Sequence, residues 1–210
     1  MNDPIVDSSD TRRLLDGVRA GDRAAFERVF DRYRAELHRF IAVRLDGDLR
    51  ARVDPSDVVQ ETQLEVLHRL DDFLRRSPMP FRVWLRRTAY ERLLALRRQH
   101  VEAARRTSRR EVPLPDRSSL LLARRLFART PTASQLAGRR ELVQKVRQVV
   151  ARLPEIDREV LFMRNFEELP YEEIADILAI DPAAARKRHG RALVRFHEQL
   201  IAQGITELSS

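Results

Sequence analysis

The chain has 210 residues, of which 43% are hydrophobic and 34% charged, and it contains no cysteine. This length suits one ordinary domain or two small ones. No apolar run approaches the roughly 20 residues of a membrane span, so membrane insertion is not expected. The first ten residues lack the basic and apolar regions of a secretory signal, and the absence of cysteine excludes disulfides and fits a reducing cytoplasm.

The composition gives no sign of catalysis. The five histidines have no metal-ligand spacing such as H-E-x-x-H, and the six glycines form no phosphate-binding loop. We therefore predict a protein that is not an enzyme, with no catalytic residue, no metal site and no cofactor.

The positive charge is concentrated in the middle of the chain, whose formal net charge is +8. Residues 1–96 contain 18 basic against 17 acidic side chains, residues 97–131 contain 10 against 3, and residues 132–210 contain 12 against 12. A basic run is commonly a solvated linker. Between two nearly neutral parts, it also suits a segment that follows a polyanion.

The first half of the chain has a helical pattern. Between residues 11 and 45 apolar side chains recur at threes and fours, and Gly21-Asp22 predicts a break between two helices. Asp54-Pro55 has the form of an N-cap followed by an N1 proline, which predicts the start of another helix.

A loop and a second helical region follow. Residues 73–80 contain two prolines and a serine and are predicted as a loop, and residues 81 to about 99 as a helix. Residues 100–131 combine arginine pairs with prolines, which predicts a basic linker. A helix from residue 132 to about 153 comes next. With no alternating strand pattern, the sequence predicts an all-α protein of two small helical domains, 1–99 and 132–210, joined by that linker.

Residues 167–197 predict a helix-turn-helix whose two helices carry opposite charge. Residues 167–181 hold six acids and no Lys or Arg, whereas residues 182–197 hold five cations and no acid. Asp181-Pro182 predicts the start of the second helix, after a turn at Ala179-Ile180. The predicted inward residues are Tyr171, Ile174, Ala175 and Leu178 on the first helix and Ala185, His189, Ala192, Leu193, Phe196 and Leu200 on the second.

The outward face of the second helix suits DNA. Small side chains at its start let it approach base edges, Arg and Lys can bond guanine or phosphate, and glycine permits close backbone approach. An ordinary hairpin with a basic face is the alternative, but the segregated charge and the cap chemistry favour DNA. The outward residues are Ala183, Ala184, Arg186, Lys187, Gly190 and Arg191.

Two blocks in the expected order resemble a sigma-70 family RNA polymerase sigma factor of the extracytoplasmic-function (ECF) group. Residues 54–73 (DPSDVVQETQLEVLHRLDDF) with 81–98 (FRVWLRRTAYERLLALRR) are similar to sigma region 2. Residues 153–196, which include the helix-turn-helix, are similar to region 4. The resemblance implies that the outward residues of the second helix read the −35 promoter element.

The resemblance also assigns roles in the first block. Asp57, Gln60 and Glu61 correspond to the face that docks on the large catalytic subunit of core RNA polymerase, although an exposed polar helix face would look the same. The 73–81 loop corresponds to the segment that captures an unstacked base of the −10 element. The residues implied to contact −10 DNA are Phe81 and Trp84, which are equally expected to be core, and Arg82, Arg86, Arg87, Arg92, Arg97 and Arg98.

The chain departs from the family pattern in three places. Ala179 stands where glycine is usual in the turn, Ala185 and His189 stand where larger aliphatic residues are usual, and Tyr90-Glu91 replaces a commoner Asn-Arg pair. The linker is longer and more basic than in short members, which suits a path through the RNA channel of the polymerase.

The resemblance implies a dissociable promoter-specificity subunit that helps melt the −10 region. Its expected partners are core RNA polymerase and promoter DNA, in the cytoplasm and at the nucleoid when bound to polymerase. Since anti-sigma factors commonly hold this group inactive, an anti-sigma factor is a further candidate partner. The competing hypothesis is a self-sufficient, dimeric helix-turn-helix regulator with a sensor domain, and an all-helical enzyme has no residues to support it.

Overall fold

The structure is a computed structural model that describes residues 7–45, 49, 51–106, 145, 146, 148–150 and 152–204. The chain divides into two compact units, Met1–Val112 and Pro113–Ser210. The predicted all-α class with two helical domains is confirmed, and none of the helices within the described ranges is long and apolar enough to cross a membrane. The helices are α1 (Ser9–Arg19), α2 (Arg23–Arg44), α3 (Pro55–Arg76), α4 (Phe81–Arg106), α5 (Glu155–Asn165), α6 (Tyr171–Leu178) and α7 (Pro182–Ala202).

The first unit packs α1 to α4 around one apolar core. The break between α1 and α2 lies where Gly21 has a φ of 88°, and the Asp22 carboxylate accepts hydrogen bonds from the first amides of α2. Asp54 caps α3 in the same way, with Pro55 at N1. Both predicted helix starts are therefore confirmed, and each is set by local cap chemistry.

The loop between α3 and α4 is shorter than predicted. The prolines at 78 and 80 restrict only the residues just before them, so α3 runs on to Arg76 and buries Phe73. Ser77 then ends the helix in the left-handed conformation, with a φ of 40°. The predicted 73–81 loop is in fact residues 77–80.

The start of α4 is capped by a distant residue. Pro80 precedes the helix and has no side-chain acceptor, and the Asp7 carboxylate takes its place. Both oxygens of Asp7 accept from the Phe81 amide, at 2.9 and 2.8 Å. The N-terminal segment is thereby attached to the loop that precedes α4.

The helix α4 continues past its predicted end at about residue 99. Residues 100–106 are mostly good helix formers, and the helix reaches Arg106. The remainder of the predicted linker, residues 107–131, lies outside the described residues, so the proposed boundaries of the domains stay a prediction.

The second unit packs α5, α6 and α7 together with helical residues at 145, 146, 148–150 and 152. The predicted helix from 132 to about 153 is confirmed only in that last part, since its beginning lies outside the described residues. The core of this unit contains Val146, Val149, Val150, Leu153, Leu161, Ala192, Phe196 and Leu200.

Candidate nucleic-acid and protein interfaces

The helices α6 and α7 form the predicted helix-turn-helix. Ala179 closes the turn in the left-handed conformation, with a φ of 53°, which is the geometry that glycine favours. Asp181 then caps α7 by accepting from the amides of Ala183 and Ala184 at 2.8 and 3.3 Å. Ala179 stands where the family resemblance predicts glycine, and it keeps the left-handed turn at a conformational cost of about 1 kcal/mol.

The start of α7 presents a basic face to solvent. Ala183 is exposed and Ala184 half-buried, and a Cβ added to Gly190 meets no atom within 4 Å. Packing within the described unit therefore gives no reason for a glycine at this position. The exposed residues of this face are Arg186, Lys187, Gly190 and Arg191.

A buried aspartate pairs with the other two cations of the helix. Asp157 of α5 has a side chain only 3% exposed, and it binds Nη1 of Arg195 at 2.7 Å and Nη1 of Arg188 at 3.5 Å. The five cations of residues 182–197 thus divide into three on the outward face and two that attach α7 to α5. Nothing in the sequence pattern marked Asp157 for this role.

The predicted inward face is partly wrong. Ala185, Ala192, Phe196 and Leu200 are buried as expected, but Leu193 is 40% exposed. The angle of Leu193 around the helix places it beside the outward residues at 186 and 190 rather than over the core. On α6, Ile174 and Ala175 are buried as predicted, whereas Leu178 and Tyr171 are only half-buried, and Glu173 and Ile177 are buried instead.

His189 lies in a polar contact rather than in a loose apolar face. Its Nδ1 is 3.0 Å from the Tyr171 hydroxyl, and its Nε2 is 3.0 Å from Nδ2 of Asn165. Burial, aided by the nearby Arg164 cation, lowers the pKa of His189 below its usual value, so the ring is neutral at physiological pH. This histidine therefore links α5, α6 and α7.

In the first unit, α3 presents a mixed acidic and apolar face. Asp57, Gln60 and Glu61 are exposed, and Leu64 and Leu67 are exposed by 65% and 52% on the same face. Exposed leucines next to a polar patch are typical of a protein interface. The sequence of α3 carries a signal for this face, because its apolar residues between 58 and 70 cover almost two sides of the helix, which is more than one packing face needs.

Glu61 is not a free carboxylate, because it forms an ion pair with Arg92 of α4. Other predicted DNA-binding arginines of α4 are also engaged inside the unit. Arg86 is 12% exposed and binds Glu36 at 2.6 Å, Arg87 binds Glu91 at 3.1 Å, and Arg97 donates to the Arg44 carbonyl at 2.8 Å.

Phe81 and Trp84 belong to the core, which is one of the two roles that the sequence left open. Both are buried; Trp84 stacks on Phe73 with ring centroids 4.2 Å apart, and Phe81 lies 5.7 Å from Phe73. Neither presents a ring face to a base in this conformation. Of the other predicted −10 residues, Arg82 is half-buried and has a partner within the chain, and Arg98 is exposed. The described residues contain no acid or histidine cluster suited to a metal ion.

These features define a two-part helical protein with a basic helix-turn-helix, and comparison with known proteins agrees. The family model described as Sigma-70, region 4 matches residues 143–196. The RNA polymerase sigma factor NccH of Alcaligenes xylosoxydans xylosoxydans is 30% identical over 203 residues, covering 91% of this chain and 93% of NccH. The ECF RNA polymerase sigma factor SigD of Mycobacterium bovis is 26% identical, covering 88% of this chain and 81% of SigD.

Two solved structures are similar in fold. CnrH, in complex with the cytosolic domain of CnrY, has a TM-score of 0.57 and 25% identity, covering 92% of this chain and 99% of CnrH. The sigma factor RpoE of Bartonella quintana, in complex with the anti-sigma factor NepR, has a TM-score of 0.56 and 17% identity, covering 84% and 96%. The chain belongs to the ECF group of the sigma-70 family and acts in transcription initiation.

Proposed function

We propose that this protein binds core RNA polymerase, recognises the −10 and −35 elements of its promoters and assists melting of the −10 region, without enzymatic activity of its own. The observation that carries this proposal is the outward set Arg186, Lys187 and Arg191 at the start of α7. These cations lie within the residues that match sigma region 4, and Asp157 holds the other two cations of the helix away from that set.

The −35 contact is proposed for the first half of α7. The Asp181 cap and the small residues Ala183 and Ala184 let the helix end approach the major groove. Arginine at this position can bond guanine through two nitrogens, each such pair contributing about 1–3 kcal/mol of base discrimination. Gly190, whose Cβ position is empty, permits the same approach one turn later.

The polymerase contact is proposed for the exposed face of α3. Asp57 and Gln60 offer acceptors to a basic partner, and Leu64 and Leu67 add apolar area that a purely solvated face does not need. Glu61 also lies on this face but is paired with Arg92, so it contributes through a shared ion pair and not as a free charge.

For the −10 element, residues 77–80 and Arg98 are the proposed contacts. Arg86, Arg87, Arg92 and Arg97 reach DNA only if their bonds within the unit open, so they stay predictions that depend on rearrangement. The basic linker and the domain boundaries likewise stay predictions from the charge pattern.

Two further elements complete the proposal. The structural neighbour RpoE was solved with an anti-sigma factor, which supports an anti-sigma factor as a third partner of this chain. A protein that works on polymerase and promoter DNA acts in the cytoplasm, which is where we place it.

Reconstituted run-off transcription tests the proposal. With core polymerase and fragments of the source genome, the protein should give discrete transcripts that core polymerase alone does not give. In a gel shift without polymerase, it should bind the same promoters weakly. Tight binding to DNA alone, without polymerase-dependent transcripts, would instead favour the self-sufficient regulator.

A matched pair of variants tests the −35 contact. Arg191→Ala should lower transcription from a template with its −35 element by about 5-fold or more relative to a template with that element replaced. Arg195→Ala removes the same charge from the internal face and weakens the attachment of α7 to α5, so both variants are assayed at a temperature where thermal melting shows the unit folded. Under those conditions the Arg195→Ala ratio should stay within about twofold of wild type, because Arg195 binds Asp157. Equal ratios for both variants would contradict the proposed face.

A further inference from the structure

Tyr171, the first residue of α6, contacts two arginines and a histidine. The guanidinium carbon of Arg186 lies 5.2 Å from the centre of the Tyr171 ring, and that of Arg164 lies 4.8 Å from it. The ring of His189 meets it edge-on, with centroids 5.7 Å apart. Tyr171 thus contacts α7 at two positions three residues apart, Arg186 and His189.

The hydrogen bonds around His189 fix its tautomer. Asn165 Nδ2 can only donate, and it lies 3.1 Å from the Leu161 carbonyl and 3.0 Å from Nε2 of His189. Nε2 is therefore the acceptor, and the proton sits on Nδ1, which donates to the Tyr171 oxygen at 3.0 Å. This series of hydrogen bonds runs from the Leu161 carbonyl through Asn165 and His189 to Tyr171, and it fixes the position of the tyrosine ring relative to α5 and α7.

Arg186 needs such a support. An exposed arginine has many rotamers, and binding a base edge requires one of them, so a ring that already contacts the guanidinium group reduces the ordering required on binding. Arginine also stacks on aromatic faces while keeping its nitrogens free for hydrogen bonds at the edge. Neither Lys187 nor Arg191 has a described ring contact of this kind.

We propose that Tyr171 is a positioning residue for −35 recognition: its ring holds Arg186 in the orientation that meets DNA, and its hydroxyl bond to His189 fixes the ring. The proposal rests on the proposed function, because it assumes that Arg186 contacts the −35 element. Tyr171 itself need not touch DNA, so its effect passes through Arg186.

A double-mutant cycle tests this coupling. We expect Arg186→Ala to lower the transcription ratio between a −35 template and its −35-replaced counterpart by about 10-fold. Tyr171→Leu should lower it by about 3-fold to 10-fold alone, but by less than about 2-fold in the Arg186→Ala background. Tyr171→Phe, which keeps the ring but loses its hydroxyl bond to His189, should lower the ratio, and by less than Tyr171→Leu does. Arg186→Lys, which keeps the charge but loses the planar guanidinium group, should resemble Tyr171→Leu.

A base-preference profile separates positioning from simple loss of structure. With each −35 base pair varied in turn, Tyr171→Leu should flatten the preference at the pair that Arg186→Ala also flattens, and leave the other pairs as in wild type. A uniformly unfolded unit would flatten all of them, and thermal melting of each variant identifies that case. If Tyr171→Leu is unfolded, the transcription ratios of Tyr171→Phe and Arg186→Lys test the positioning role instead, because both variants keep side chains of similar size.

The outcomes also separate the two proposals. If Arg186→Ala lowers the ratio and the effects of Arg186→Ala and Tyr171→Leu multiply, the positioning role is overturned and the −35 contact stands. If Arg186→Ala leaves the ratio unchanged, Arg186 does not read the −35 element, and both the Arg186 contact and the role of Tyr171 are overturned.

Discussion

The two arginine-rich helices of this protein, α4 and α7, use their charge in different ways. On α4, Arg86, Arg87 and Arg92 are each bound to a carboxylate of the same unit. On α7, one buried acid binds Arg188 and Arg195, and Arg186, Lys187 and Arg191 stay on the outward face. The comparison teaches that a count of cations along a helix does not measure a DNA-binding face; the acids on the neighbouring helices decide which cations remain available.

The largest effect should come from reversing the charge on the proposed polymerase face. Asp57→Arg should weaken binding to core polymerase by at least about 100-fold, because a cation would meet a basic partner surface and like charges brought together cost several kcal/mol. The fold should be kept, since Asp57 is exposed. Binding is measured by competition with another sigma factor for core polymerase.

Asp31→Arg is the matched control for that experiment. It makes the same charge change at an exposed position of α2, where the acid forms a surface pair with Arg34. If Asp57→Arg binds polymerase as the wild type does, or if both variants lose the same affinity, the α3 face is not the docking face.

Next in size is the loss of the buried acid in the second unit. Asp157→Ala should destabilise that unit by about 2 kcal/mol, because two charged hydrogen bonds to α7 are lost. It also releases Arg188 and Arg195, so binding to nonspecific DNA should gain a steeper dependence on salt. Chemical denaturation and salt-dependent binding to a random duplex measure the two effects, and a steeper salt slope without any loss of stability would argue against the buried pair.

A smaller effect should appear with pH. The pKa of His189 is lowered by burial and by Arg164 from α5, and the ring faces the Tyr171 hydroxyl of α6. The unfolded chain therefore binds a proton at higher pH than the folded unit. The stability that His189 contributes is full above its ordinary pKa of about 6.5 and is lost as pH falls from there toward the lowered value.

The pH effect is measured as the difference in unfolding free energy between about pH 7.5 and about pH 5.5 for the wild type and for His189→Gln. The variant should lose less stability across this range, since the other four histidines are common to both proteins. An equal loss in both would place the pH dependence elsewhere.

The smallest effect is expected at the turn. Ala179→Gly should stabilise the second unit by about 0.5–1 kcal/mol, because glycine adopts the left-handed conformation without the Cβ penalty. Ala175→Gly, in the middle of α6 with ordinary helical geometry, is the control and should destabilise. A loss of stability at both positions would mean that the turn relaxes when Ala179 is replaced.

Features set by local chemistry were predictable from the sequence. Gly21-Asp22, Asp54-Pro55 and Asp181-Pro182 each mark a helix boundary by backbone freedom or by a side chain that caps its own helix. The exposed face of α7 was also predictable, because the helical period places Arg186, Gly190 and Arg191 together and all three are exposed.

Features that depend on distant partners were not predictable. Arg86 and Arg92 looked like strand-binding cations until Glu36 and Glu61, on other helices, were brought beside them. The sequence left two roles for Trp84, a DNA contact or a core residue, because its stacking partner Phe73 lies on another helix, α3. His189 looked like a poor core residue, since Tyr171 and Asn165 approach it only in the folded unit.

The Asp7 cap on Phe81 also bears on the order in which the first unit is completed. Cap and helix start are separated by 74 residues, so the bond closes only after α1, α2 and α3 have been synthesised and assembled. A chain shortened past Asp7 would leave the Phe81 amide without that acceptor and weaken the start of α4, by about 1 kcal/mol for a lost cap. Tags and truncations at the N-terminus therefore act on the loop next to α4, far along the sequence from where they are made.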